Sequence, residues 1–324
     1  MNKIYVVAII ITMAGSSFAQ VPASDDWFGV SGRVRSIDRW EEKPDGTQHT
    51  VRGQLRADAW INLSSDGCVK LNARLTSGSN FNSEWLVSGI ADGIESYDIN
   101  IRRLYVDMKC LEGLKLEAGA MPVITDGRLG LSDYGWVDGV RVVMEKNDRK
   151  MILTVGEIND LKTPNVFKRD RDGVNYVQAE VTQKFGNGHS VFVSLSDYED
   201  TFYSRVGMKY AINKYFEWLK SWSLQYVSAE AMLSGNKRLG DHFEAAFKKE
   251  NWIVRLCAYY LEPNPTDTDK ENLLVKNFYG YGNNYYIDAD RRFGRENNWV
   301  FLLRARDGDA GKLLEVGFTR EFRK

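Results

Sequence analysis

Long stretches of this chain alternate apolar and polar residues with a period of two. Val69, Leu71, Ala73 and Leu75 interleave with Lys70, Asn72, Arg74 and Thr76; Leu114, Leu116, Ala118 and Ala120 interleave with Lys115, Glu117 and Gly119. The same pattern recurs at Val177-Ala179-Val181, Trp299-Phe301-Leu303-Ala305 and Leu314-Val316-Phe318. Successive side chains on a strand point to opposite faces, so each segment has one greasy and one wet face. Such a chain must fold as sheet, with the greasy faces either stacked on one another or turned outward into lipid.

Connections favour lipid. Short turns are expected at Ser65-Asp66-Gly67, around Cys110, at Lys146-Asn147-Asp148, Gly186-Asn187-Gly188, Asn213-Lys214, Lys249-Glu250-Asn251 and Gly294-Arg295-Glu296-Asn297. Longer connections fall between them, at 79–96, 121–137, 157–172, 234–241 and 262–276. Tight turns on one rim and long loops on the other are what transmembrane barrels show, and the segments have about the 9–11 residues that a tilted membrane strand needs. Counting through this punctuation predicts an all-β, antiparallel up-and-down transmembrane barrel of about sixteen strands, an even number as in bacterial single-chain barrels. The centres fall near Val34, Ala57, Arg74, Tyr105, Glu117, Val142, Leu153, Ala179, Val193, Val206, Leu224, Ala245, Leu256, Tyr286, Leu303 and Phe318. The stretch from Lys209 to Lys249 also has helical character, most clearly at His242-Phe243-Glu244-Ala245-Ala246-Phe247-Lys248-Lys249, and a helix there would lower the count to about fourteen. Aromatic residues at strand ends, among them Trp27, Phe28, Trp40, Trp60, Trp136, Trp252, Tyr285 and Trp299, are read as interfacial girdles.

The start of the chain reads as an export signal. Lys3 precedes an apolar run at 4–14, and Ser17-Phe18-Ala19 offers a cleavage site before Gln20. The run is shorter than the roughly 20 residues of a membrane helix. Two segments result: residues 1–19 as signal peptide and 20–324 as a single barrel domain, located in the outer membrane.

One pair of segments carries a family likeness. Ile101-Arg102-Arg103-Leu104-Tyr105-Val106-Asp107-Met108-Lys109 is followed by a tight turn and by Gly113-Leu114-Lys115-Leu116-Glu117-Ala118-Gly119-Ala120-Met121-Pro122. An Arg-x-x-Tyr-Val-Asp strand, a turn and a Leu-x-x-Gly-x-x-Pro strand resemble Gram-negative outer-membrane porins, including the phosphate-selective and alginate-export types. The resemblance is specific over these segments and architectural elsewhere. It implies a passive channel for small hydrophilic solutes, with outer-membrane lipid as partner and with oligomers possible in the family. Phe318-Thr319-Arg320-Glu321-Phe322 would supply the terminal aromatic of such barrels, although Arg323 and Lys324 follow it.

If the apolar rows face lipid, the alternate positions line a bore. The basic members are Arg33, Arg35, Arg52, Arg56, Lys70, Arg74, Arg103, Lys115, Arg141, Lys184, Arg205, Lys209, Lys248, Arg255, Arg304 and Arg306; the acidic ones are Asp58, Asp107, Glu117, Glu145, Glu180, Glu244, Glu315 and Glu321. Arginine and lysine rings favour anions, so small carboxylates, phosphate or acidic sugars are candidate solutes. The competing reading is a mixed lining in which Arg pairs with Asp and Glu and selectivity is weak. Asp126, Arg128 and Asp133 sit in the long segment 121–137 and are candidates for a constriction loop, although a loop of this length is expected more often to cap a barrel from outside.

Other chemistry is set aside. A formal net charge of −1 makes no case for nucleic acid. Three cysteines without CxxC spacing exclude the usual metal and redox motifs, and an exported chain permits one disulfide, for which Cys68 and Cys110 are the candidates because both sit in turns. The three histidines are scattered, so no metal site is expected. His189 and Ser190 are adjacent and point to opposite faces, and no serine is spaced to work with His242 beside Asp241, so no enzyme is expected. No cofactor is implied. The alternative function is a secreted or periplasmic soluble β protein that binds or processes polysaccharide; a third is a barrel with a structural or adhesive role.

Overall fold

The computed structural model describes residues 27–43, 46–77, 90–91, 99–127, 129, 136–158, 165–169, 173–198, 201–215, 222–262, 282–294, 296 and 298–323. The proposed signal segment lies outside them. The strands are β1 (Phe28–Lys43), β2 (Gly46–Asn62), β3 (Val69–Ser77), β4 (Ile90–Ala91), β5 (Ile99–Leu111), β6 (Leu114–Pro122), β7 (Trp136–Lys146), β8 (Arg149–Glu157), β9 (Tyr176–Phe185), β10 (His189–Tyr198), β11 (Thr201–Tyr215), β12 (Ser223–Ser234), β13 (Lys237–Lys249), β14 (Trp252–Leu261), β15 (Gly282–Phe293), β16 (Trp299–Gly308) and β17 (Lys312–Arg323).

Each long strand pairs antiparallel with its sequence neighbours, and β1 pairs with β17 from Ser31↔Arg323 to Glu42↔Lys312, which closes the cylinder. The result is a 16-strand up-and-down barrel, with β4 as a two-residue addition on β2. All sixteen expected centres fall inside strands. Closure matters because an unpaired backbone N–H or C=O in hydrocarbon costs several kcal/mol.

The outer surface carries the greasy rows. Val34, Val206 and Ile287 are 53%, 49% and 47% exposed, and Leu153, Val181, Val193, Leu256 and Phe318 join them. Those rows are not buried between stacked sheets, so the soluble sandwich does not describe this chain. An aromatic cluster lies on the outer face near the terminal rim, with Trp252 against Phe301, Phe301 against Phe318 and Phe293 stacked on Trp299. The girdle reading fails at Trp136, which is fully buried with the Arg169 guanidinium stacked on its ring, and at Trp60, whose ring occupies the space beside Gly29 on the inner face.

Turns at 112–113, 147–148 and 250–251 are two residues long and share the rim of the chain's ends; Asn147 and Glu250 take left-handed backbone there (φ 53° and 50°). Strands β3, β6, β8 and β14 end at the other rim, where the long connections that follow them begin. Two boundaries differ from expectation. The stretch 234–241 is not a long loop: β12 turns at Gly235 (φ 56°) directly into β13. The Asn213-Lys214 signal is not a turn: β11 runs on to Tyr215, with a register shift between Ala211 and Lys214. A bulge and a turn draw on the same residue types. The helical alternative for 242–249 is also corrected. Pairing with β12 and β14 on both sides outweighs local helix preference, and Phe243 points out while Glu244 is buried within.

Candidate functional site: the lumen

Register places the polar rows inside, and the charged side chains there bond one another. One ionic chain runs around the wall from β14 to β1. Arg255 bonds Asp290 at 2.8 Å and Asp288 at 3.4 Å; Arg304 bonds Asp288 at 3.2 Å and approaches Glu315 to 3.8 Å. Arg39 then joins Glu315 at 3.3 Å to Glu41 at 2.9 Å, and Arg306 reaches Glu41 at 3.3 Å. A second group sets Arg56 and Arg74 on the single carboxylate of Asp58, at 2.8 and 2.5 Å. A third ties Lys115 to Asp107 at 3.2 Å and to Glu117 at 2.6 Å, with Arg141 on Glu117 at 2.8 Å. Water-filled bores permit this because a charge facing lipid would cost about 2–4 kcal/mol at mid-membrane.

A fourth group anchors a loop. After β6 the chain turns inward, and residues 123–127 and 129 lie against the wall of β9 to β12. Arg205 donates to Glu180 at 2.9 Å and to Glu230 at 3.2 Å, and also to the Leu129 carbonyl and the Thr125 hydroxyl. The same two carboxylates take loop amides: Asp126 N donates to Glu180 at 2.7 Å, and Leu129 N to Glu230 at 3.1 Å. Asp126 accepts from Thr182 and meets Lys150 at 3.4 Å. The loop base packs in a buried apolar cluster of Met121, Val123, Trp136, Val137, Ile158 and Tyr176. Leu129 sits in another, with Met232, Tyr259 and Tyr286. The expected outside cap is therefore corrected for the described part of the loop. Its amides find acceptors on the inner wall, which offsets the loss of water. Arg128 and Asp133 lie outside the described residues.

Small residues let the strands beside the loop base approach closely. Gly119, Gly139 and Gly156 stand in register across β6, β7 and β8. A Cβ on Gly139 would lie 2.2 Å from the Val155 carbonyl oxygen and 2.5 Å from Gly156 Cα.

The other named basic residues lie on the strand faces that carry these ion pairs. Arg33 and Arg35 lie on β1 in register with Glu321 and Thr319, and Arg35 donates to the Thr319 hydroxyl at 3.0 Å. Arg103 is buried opposite Arg74. Arg52 holds an inner-row position, in register with Ile37, and its side chain is outside the described residues. For the disulfide candidates, Lys109 N donates to the Cys68 carbonyl at 2.8 Å, so the backbone brings Cys68 one residue from Cys110; the Cys110 side chain is also outside the described residues. Several participants were missed in the sequence. Arg39 and Glu41 extend the β1 alternation toward the loop rim, Asp288 and Asp290 alternate in Ile287-Asp288-Ala289-Asp290, and Glu230 hides in the stretch with helical character.

No family model matches this sequence, and no curated protein matches it. Solved structures do. An engineered variant of the Rhodopseudomonas blastica porin superposes over 91% of this chain and 100% of its own, with a TM-score of 0.61 at 14% identity. A triple mutant of that porin gives 0.59 at 13% identity over the same shares. A chain described under asymmetric conductivity of engineered proteins gives 0.62 at 13% identity, again covering 91% of this chain and all of its own. The fold is that of a porin-like β-barrel.

Proposed function

We propose that this chain is an outer-membrane channel for passive diffusion of small hydrophilic solutes, exported by a leader ending at Ala19, and not an enzyme. The carrying observation is the inversion of a soluble protein's surface: a closed cylinder with exposed aliphatic rows outside and bonded charges inside. The porin likeness supports the same reading. The inward loop, with Asp126 on it, is the proposed constriction.

A mild preference for anions is the finer proposal. Its support is the wall formed by β1, β2, β3 and β5, where Arg33, Arg35, Arg56, Arg74 and Arg103 share a face and Asp58 serves two guanidinium groups. The extensive pairing elsewhere favours the second reading, a nearly neutral lining with weak selectivity. Planar-bilayer recordings of the purified protein test both. A pore must appear; its reversal potential in a salt gradient must be of anionic sign for the finer proposal. Cation selectivity overturns that, and absence of any conductance overturns the channel. Deleting residues 126–135 should raise the conductance if this loop narrows the bore.

A further inference from the structure

We infer that His242, Glu244 and Cys257 form a binding site for a divalent transition metal of borderline softness, with zinc the best-fitting ion, on the inner wall beside Leu129. This inference does not depend on the channel reading.

The strands bring three donors together. His242 and Glu244 are two apart on β13 and therefore share its inner face, and Cys257 is the cross-strand partner of Glu244 on β14. One ligand atom from each residue lies within 4.8 Å of the others, and all three residues are buried. A zinc ion bound at about 2.3 Å by sulfur and about 2.0 Å by oxygen in a tetrahedron sets those two atoms about 3.5 Å apart. Cys257 Sγ and Glu244 Oε2 are 3.4 Å apart. The imidazole nitrogen lies within 4.8 Å of both atoms and would have to rotate closer to complete the set.

The surroundings match the chemistry. Thiolate, imidazole and carboxylate together are a zinc-type donor set, whereas calcium and magnesium prefer oxygen alone. Tyr226 donates its hydroxyl to Glu244 Oε1 at 2.6 Å, which leaves the other oxygen toward Cys257 and orients the carboxylate as outer partners of metal ligands do. Leu129, Met232, Tyr259 and Tyr286 pack around Cys257 and form an apolar shell. Three protein ligands leave a fourth position for water or another small ligand. The histidines look scattered along the chain; only the β13–β14 register joins one of them to the cysteine.

Cobalt(II) titration of the purified full chain in detergent, kept reduced, tests the site. A C68S/C110S background removes the other thiols. The expected result is a cobalt–thiolate charge-transfer band saturating at one ion per chain, displaced by zinc. It should vanish in C257S, and cobalt affinity should fall at least tenfold in H242Q and in E244Q. Y226F should weaken binding by about 10–100-fold, the usual effect of losing an outer partner. Absence of the band in the C68S/C110S protein overturns the inference, as does a band that survives C257S or an affinity unchanged in H242Q. Heat-modifiable gel mobility verifies that each variant is folded; should C257S not fold, the background protein and H242Q decide.

Discussion

Replacing Arg205 by methionine should release the inward loop. Methionine keeps much of the length and loses the charge and every hydrogen bond. Arg205 is 5% exposed and holds Glu180 and Glu230, which are 1% and 7% exposed, and both carboxylates in turn hold the loop amides of Asp126 and Leu129. Removing one partner from a buried ion pair costs about 3–5 kcal/mol because the other charge is left behind. The lower end of that range is about 3 kcal/mol. That corresponds to roughly a hundredfold increase in local opening, at about 1.4 kcal/mol per tenfold. Amide hydrogen exchange at Asp126 and Leu129 reads it directly, with no assumption about transport. Lys150→Met is the control. Its contact with Asp126 is 3.4 Å long and the carboxylate side chain is 35% exposed, so the effect should stay within about 1 kcal/mol, or about fivefold. If the R205M protein folds and protects both amides as well as wild type, the anchoring argument is wrong. Equal effects from K150M would also refute it.

Other substitutions probe the wall. Leu153→Arg places a charge on the lipid face and should lower folding stability in vesicles by about 2–4 kcal/mol, measured by urea titration; a neutral effect would contradict the outward placement. Gly139→Ala drives a methyl into the β8 backbone and should cost about 1–3 kcal/mol in the same assay. At the terminal rim, Asp66 accepts from the Ser64 hydroxyl at 2.6 Å and from Cys68 N at 3.0 Å, which lowers its carboxyl pKa to about 2. A lowered folded value means that its stabilisation is complete above the ordinary carboxylate pKa of 3.8 and is lost as pH falls toward 2. Carboxyl NMR should place its midpoint near 2, and Asp66→Asn should remove this acid limb from turn stability; a midpoint at the ordinary value rejects the assignment.

The barrel was legible because lipid demands one signal everywhere. Each strand must be greasy on one face, so alternation located even Tyr286, where the punctuation is thin. Errors arose where that signal was diluted. Alanines at 245 and 246 suit either face and either secondary structure. Asn213 and Lys214 look the same in a bulge as in a turn. Within the lumen, direction was readable and pairing was not. Alternation says that Arg39 and Glu315 face inward when their strands are extended, but only closure of β1 on β17 brings together residues 276 apart in sequence. The loop was least legible. Residues 121–137 carry no periodicity, and the groups that hold the described part at 125–127 and 129 inward, Glu180, Arg205 and Glu230, belong to three later strands.

Pairing also decides what the inner charges can do. A guanidinium bonded to a carboxylate contributes a dipole to a passing ion rather than a full charge. The count of inward arginines therefore overstates any field in the bore. What survives is local imbalance. Asp58 bonds both Arg56 and Arg74 on one arc, and Arg205 bonds both Glu180 and Glu230 on another. A dipole arranged oppositely on two arcs would act across the bore on dipolar solutes as well as on ions. On this argument neutralising Asp58 should shift ion selectivity toward anions, and neutralising Arg74 should shift it the other way by a similar amount.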